Sequence, residues 1–145
     1  MVGTAQGKVL SCSRKAKTQT EVILSEYSAQ YGSVSALRRN PILPKNFLTA
    51  GDWSIKVWSE DVTVSPLLWV WSGRVKVTAA SWSPTRPSVI LATRSDGCLM
   101  VLDILYRQTG PLVSLEAHDG ALTSLAVHQA GALLSLGEAR TDGQN

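Results

Sequence analysis

Gly51-Asp52-Trp53-Ser54-Ile55-Lys56-Val57-Trp58-Ser59-Glu60 reads as a tight turn feeding an alternating strand that ends on an aromatic and two polar residues. The same order returns at Ser95-Asp96-Gly97-Cys98-Leu99-Met100-Val101-Leu102-Asp103. Asp52 and Asp96 are 44 positions apart, and so are Trp58 and Leu102. A proline-bearing connection precedes each turn, Asn40-Pro41 and then Ser83-Pro84, at a step of 43. Separate markers that keep one spacing define a repeated structural unit, which buries its apolar faces by stacking on its neighbours.

Between these markers the chain breaks into short alternating segments separated by turn residues, with no long stretch of helical period. Strands are expected at Lys8–Cys12, Val22–Tyr27, Ser33–Arg39, Asn46–Ala50 and Ser54–Trp58. The cycle restarts with Pro66–Trp71, Lys76–Trp82, Ser88–Thr93 and Cys98–Asp103. A third pass runs through Val113–Ala117, Ala121–Val127 and Gly131–Leu136 to a turn at Asp142-Gly143. Pro41 and Pro44 cannot donate to a strand ladder and mark a connection.

A period of about 40–45 residues carrying four short strands is that of WD40 propeller blades. The expected fold is therefore all-β: a partial WD40 β-propeller of about three four-stranded blades, unclosed at both ends. The divisions are 1–27 (the end of one blade and a linking strand), 28–61 and 62–104 (blades) and 105–145 (an incomplete blade). Propellers close with roughly 4–8 blades, so the sequence reads as a segment of a longer propeller.

Composition agrees with a packed domain: 145 residues, 44% hydrophobic and 17% charged, with no apolar run near the roughly 18 residues that span a bilayer. The N-terminal Met1–Lys8 lacks the apolar core of a signal peptide. Cys12 and Cys98 stand apart from each other and from His118 and His128. That spacing supports neither a disulfide pair nor a zinc site, and a reducing compartment is expected. Charge is uneven: residues 1–94 carry 12 Lys/Arg against 5 Asp/Glu, and residues 95–145 carry 2 against 6. A basic half can face nucleic acid, a membrane or another acidic surface, but scattered positive residues read better as a solvated exterior.

No phosphate loop, nucleophile elbow or His-Glu-x-x-His motif occurs. Asp52 and Asp96 hold matched turn positions, where an aspartate side chain bonds nearby backbone. His118 beside Asp119 reads as a blade-corner histidine bonded to Ser135 and the Asp142 turn, not as a catalytic pair. Trp58 and Trp82 are expected in the core. Trp53 sits at a turn tip, and Trp69 and Trp71 share one strand face because residues i and i+2 point the same way. If that face is open, the pair beside Arg74 and Lys76 suits a protein-partner hot spot; if it lies between blades, it is core.

The chain resembles the WD-repeat region of dynein intermediate chains, above all the axonemal outer-arm type. The resemblance rests on Asn40-Pro41 with Pro44–Thr49, on Gly51-Asp52-Trp53 and Lys56–Asp61, and on Trp82-Ser83-Pro84 with Arg86-Pro87-Ser88 and Asp96-Gly97. Gly3-Thr4, Gly7, Cys12 and Arg14-Lys15 are similar to the family's preceding strand, so about residues 3–104 are covered. The repeat class places a histidine before the inner strand, where this chain has Gln30; only His118 keeps it, and Leu102 replaces the second terminal tryptophan. These departures are expected to weaken the hydrogen-bond network inside each blade.

The resemblance implies a non-catalytic scaffold without cofactor or metal, in the cytoplasm and cytoskeleton at the axoneme of a cilium or flagellum. Its implied partners are a dynein heavy chain, contacted by the propeller, and other dynein intermediate and light chains, with no membrane or small-molecule substrate. The alternatives are a WD40 adaptor outside dynein and, on the basic half, a nucleic-acid binder.

Overall fold

The computed structural model describes all residues except 16, 19–21, 107–112, 130–133 and 139–145. The expected turn at Asp142 lies outside the described residues. Thirteen strands and no helix occur among those that are described. They form four antiparallel sheets: a three-stranded one, two of four strands and a two-stranded one.

The first sheet joins β1 (Val2–Gly3), β2 (Lys8–Cys12) and β3 (Ile23–Ser28). The second runs in order through β4 (Ala36–Arg39), β5 (Asn46–Gly51), β6 (Ser54–Ser59) and β7 (Leu68–Trp71). The third holds β8 (Val77–Trp82), β9 (Val89–Arg94), β10 (Cys98–Asp103) and β11 (Val113–Glu116) in sequential order. The last pairs β12 (Leu122–Val127) with β13 (Leu134–Glu138). Sequential antiparallel sheets of this kind are propeller blades, and here they stand as an open arc rather than a ring.

The sheets are offset by one strand from the divisions read in the sequence. β7 falls in segment 62–104 but pairs with β6, Lys56 opposite Trp69 and Ser54 opposite Trp71. Likewise β11, in segment 105–145, pairs with β10. Each sequence unit thus supplies the outer strand of the blade before it. The reason is local: residues 60–67 carry the chain back along the outer edge of β6, whose ladder is otherwise unfilled. This interlock ties adjacent units by backbone hydrogen bonds.

Pairing fixes which side chains share a face, because directly opposed residues point the same way. Leu48, Ala50, Ile55, Val57 and Val70 on one face of the second sheet pack against Val77, Ala80, Trp82, Ile90, Ala92, Met100 and Leu102 of the third. On the opposite face Phe47 and Trp58 meet Val9, Tyr27 and Ala29 of the first sheet and its exit. Tyr27 stands edge-on to both rings, 5.1 Å from Phe47 and 5.6 Å from Trp58 between centroids, a favoured aromatic arrangement. Trp58 and Trp82 are therefore core, as expected.

Polar side chains stitch the blades as well. The Trp82 indole donates to the Arg38 carbonyl at 3.0 Å. Asn40, buried, donates from Nδ2 to the Pro87 carbonyl at 2.8 Å, while its Oδ1 accepts from the backbone of Ile42 and Leu43. The Asn-Pro marker in the sequence is thus a turn whose side chain also grips the next blade.

Candidate functional site

Antiparallel pairing gathers the β5–β6 and β9–β10 hairpin turns and the inter-sheet connections at one end of the arc. The β5–β6 turn at Asp52-Trp53, the connections 29–35 and 72–76, and the turn at Asp96-Gly97 all lie there. Backbone bonds lock this surface: Ser72 N–H donates to the Trp53 carbonyl at 2.7 Å and Val77 N–H to the Asp52 carbonyl at 2.8 Å. Every sequence-selected residue of the second blade's turn lies at this end.

Beneath it runs a buried polar chain. Gln30 donates from Nε2 to the Thr49 hydroxyl at 3.2 Å and accepts from the Ser54 hydroxyl at 2.8 Å. The Trp58 indole donates to the same Thr49 oxygen at 3.0 Å. The expected weakening at this blade is therefore corrected. A carboxamide offers both a donor and an acceptor, so Gln30 closes the network that the repeat class builds around histidine. Asp52 is left outside it; its carboxylate accepts from Gly32 N–H, and its own φ is +51°.

The third sheet is built differently. Thr93, the counterpart of Thr49, is buried and shares a 2.9 Å hydroxyl contact with Thr78. Asp96 takes the Arg94 guanidinium and the Cys98 N–H, the latter at 3.2 Å. Burial pushes its carboxyl pKa up, but the bonds from Arg94 and Cys98 outweigh it and hold the group below its usual value. Cys98 is pushed up, by burial first and by Asp96 second, the opposite of an activated thiol.

His118 is exposed; its Nδ1 accepts from Gly120 N–H at 2.9 Å and its carbonyl crowds Gly97. Of the partners expected for it, Asp142 lies outside the described residues, and Ser135 sits exposed in β13 opposite Ala126. Among the described residues no cluster of three or more His, Cys, Asp or Glu is placed to hold a metal.

The aromatic residues resolve the alternative left by the sequence. Trp69 and Trp71 stack at 4.9 Å between centroids and are exposed, Trp71 by 53%. Trp53 is exposed at its turn tip, and Arg74 and Lys76 are exposed in the 72–76 connection. Lys76 also borders a shallow depression of about 440 Å³ with Ser33, Asp52, Val77 and Thr123. Two members were missed. Lys56, opposite Trp69, lays its Nζ 4.5 Å from that ring's centroid and 5.6 Å from that of Tyr31. The signal available was a lysine inside an otherwise apolar strand, in register with a tryptophan across the ladder.

The model of the dynein axonemal intermediate chain 3 WD40 domain matches residues 2–127. The chain belongs to this family. Over 94% of its length it is 47% identical to "Dynein intermediate chain 3, ciliary" of Heliocidaris crassispina and 46% identical to human "Dynein axonemal intermediate chain 2". It is 38% identical to the 70 kDa intermediate chain of the flagellar outer arm dynein of Chlamydomonas reinhardtii. The chain spans about a quarter of these relatives, 23% of the first two and 24% of the third. A chain in the crystal structure of the mitotic checkpoint complex superposes with a TM-score of 0.78 over 94% of this chain and 41% of the other, at 21% identity. That likeness concerns fold alone, and with the family match it establishes the open WD40 propeller architecture of this axonemal intermediate-chain segment.

Proposed function

We propose that the chain is a non-catalytic WD-repeat scaffold of an axonemal dynein complex, contacting a dynein heavy chain and supporting arm assembly and ciliary or flagellar motility. The observation that carries this reading is the family match over residues 2–127, joined by ciliary and flagellar relatives at 38–47% identity. The geometry supports it from another side: Gln30, Thr49, Ser54 and Asp52 at the turn end bond backbone and one another, and beside them lies an exposed aromatic surface of the kind protein partners use. Other intermediate and light chains of the same complex are its further partners, and the axoneme is its place.

Mixing the chain with a recombinant dynein heavy-chain tail on a sizing column tests this. Co-elution at fixed stoichiometry supports the assignment. Separate elution, with each component folded by circular dichroism, counts against it and favours a WD40 adaptor of another complex.

A further inference from the structure

Lys56 carries a charge that the described residues answer chiefly with aromatic rings. The residue is only 7% exposed, yet its ammonium makes no hydrogen bond and no ion pair among the described residues. Asp52 is near enough to act on it through space, but no ion pair forms between them, and the Asp52 carboxylate accepts from Gly32 N–H. Burial accordingly pulls the Lys56 pKa down, with Asp52 opposing. What surrounds the ammonium is aromatic: Tyr31, 79% exposed, on one flank, and Trp69, which itself stacks on Trp71. Cation–π contact offsets part of the desolvation but fills none of the three N–H donors.

We propose that Tyr31, Lys56, Trp69 and Trp71 form a docking ledge for an acidic segment of a partner protein. One carboxylate takes the Lys56 ammonium, and an apolar neighbour lies on the open ring of Trp71. Charge complementarity selects this occupant. Arg74 and Lys76 stand exposed at the same end without a carboxylate partner among the described residues, so the surround is positive too. Trp and Tyr are the residues enriched at interface centres. Single-stranded nucleic acid fits less well, because successive bases need free ring faces and Trp69 already carries both the ammonium and Trp71. The ledge stands on this chain's own geometry, whichever complex carries the chain.

The test is fluorescence anisotropy with a labelled synthetic peptide repeating glutamate, leucine and proline, its glutamine counterpart, and oligothymidylate. The expected result is saturable binding of the glutamate peptide and binding of the glutamine peptide weaker by about tenfold or more. Lys56→Met and Trp71→Ala should each lose about tenfold as well, while Lys45→Ala, remote from the ledge, binds as the unaltered chain does. Trp71 is exposed, so Trp71→Ala keeps the test decisive if Lys56→Met does not fold. Equal affinity for both peptides, binding unaffected by Trp71→Ala, or no peptide binding overturns the proposal. Preferential, salt-sensitive binding of oligothymidylate also overturns it, in favour of nucleic acid.

Discussion

Gln30 shows how a single side chain can replace a repeat's usual residue without loss of its bonds. Its amide links Ser54 to Thr49, and Thr49 in turn accepts from Trp58, so one substitution exposes the whole chain of bonds to failure. Gln30→Leu leaves two buried hydroxyls short of partners and is expected to cost about 1–3 kcal/mol, read by denaturant unfolding. Asp96 gives a second prediction. Its folded pKa lies below the ordinary value, so its contribution is present above about pH 3.9 and is lost as pH falls through the folded value. Asp96→Asn removes that contribution, and the stability difference between the two proteins should shrink as pH drops below about 4. At this scale Trp58 and Trp82 are buried as their strands suggest, and Asp96 bonds the backbone of its own turn, whereas Asp52 takes the N–H of Gly32 from another loop instead of nearby backbone. Gln30 was not legible in the sequence, because a pattern registers a missing histidine and says nothing about whether an amide can make the same two bonds. Lys56 and Tyr31 were missed for a related reason, since they come together only through strand pairing and a loop.

Elements here are held by turns and by the stitches between blades. Gly97 has φ +87°, a Cβ there would run into the His118 carbonyl oxygen, and its own carbonyl holds the next connection by accepting from Ala117 and His118 N–H. Gly97→Ala is expected to cost about 1–3 kcal/mol in strain, more if the His118 carbonyl cannot move, and to lower the unfolding midpoint accordingly. The Asp52-Trp53 turn solves the same problem with a positive φ on aspartate, which explains why the two turns share spacing but not residues. Asn40→Ala removes an inter-blade bond and a turn at once; about 1–2 kcal/mol should be lost. Strand positions were readable from alternation. Sheet membership was not, because whether β7 closes its own unit or the one before depends on the path of residues 60–67 around an unfilled edge.

The whole molecule is an arc of blades whose two apolar layers lie between sheets, so neighbouring blades form its core together. The period in the sequence announced this, since a unit that buries its faces only against copies of itself must repeat. The exposed aromatic face was half visible: Trp69 and Trp71 on one face follow from strand geometry, but whether that face is covered depends on packing that no pattern encodes. The most direct test of the scaffold assignment is quantitative mass spectrometry of the protein immunoprecipitated from ciliated cells. A dynein heavy chain recovered in constant ratio, together with other intermediate chains, is the predicted result. Recovery without any dynein heavy chain would contradict it.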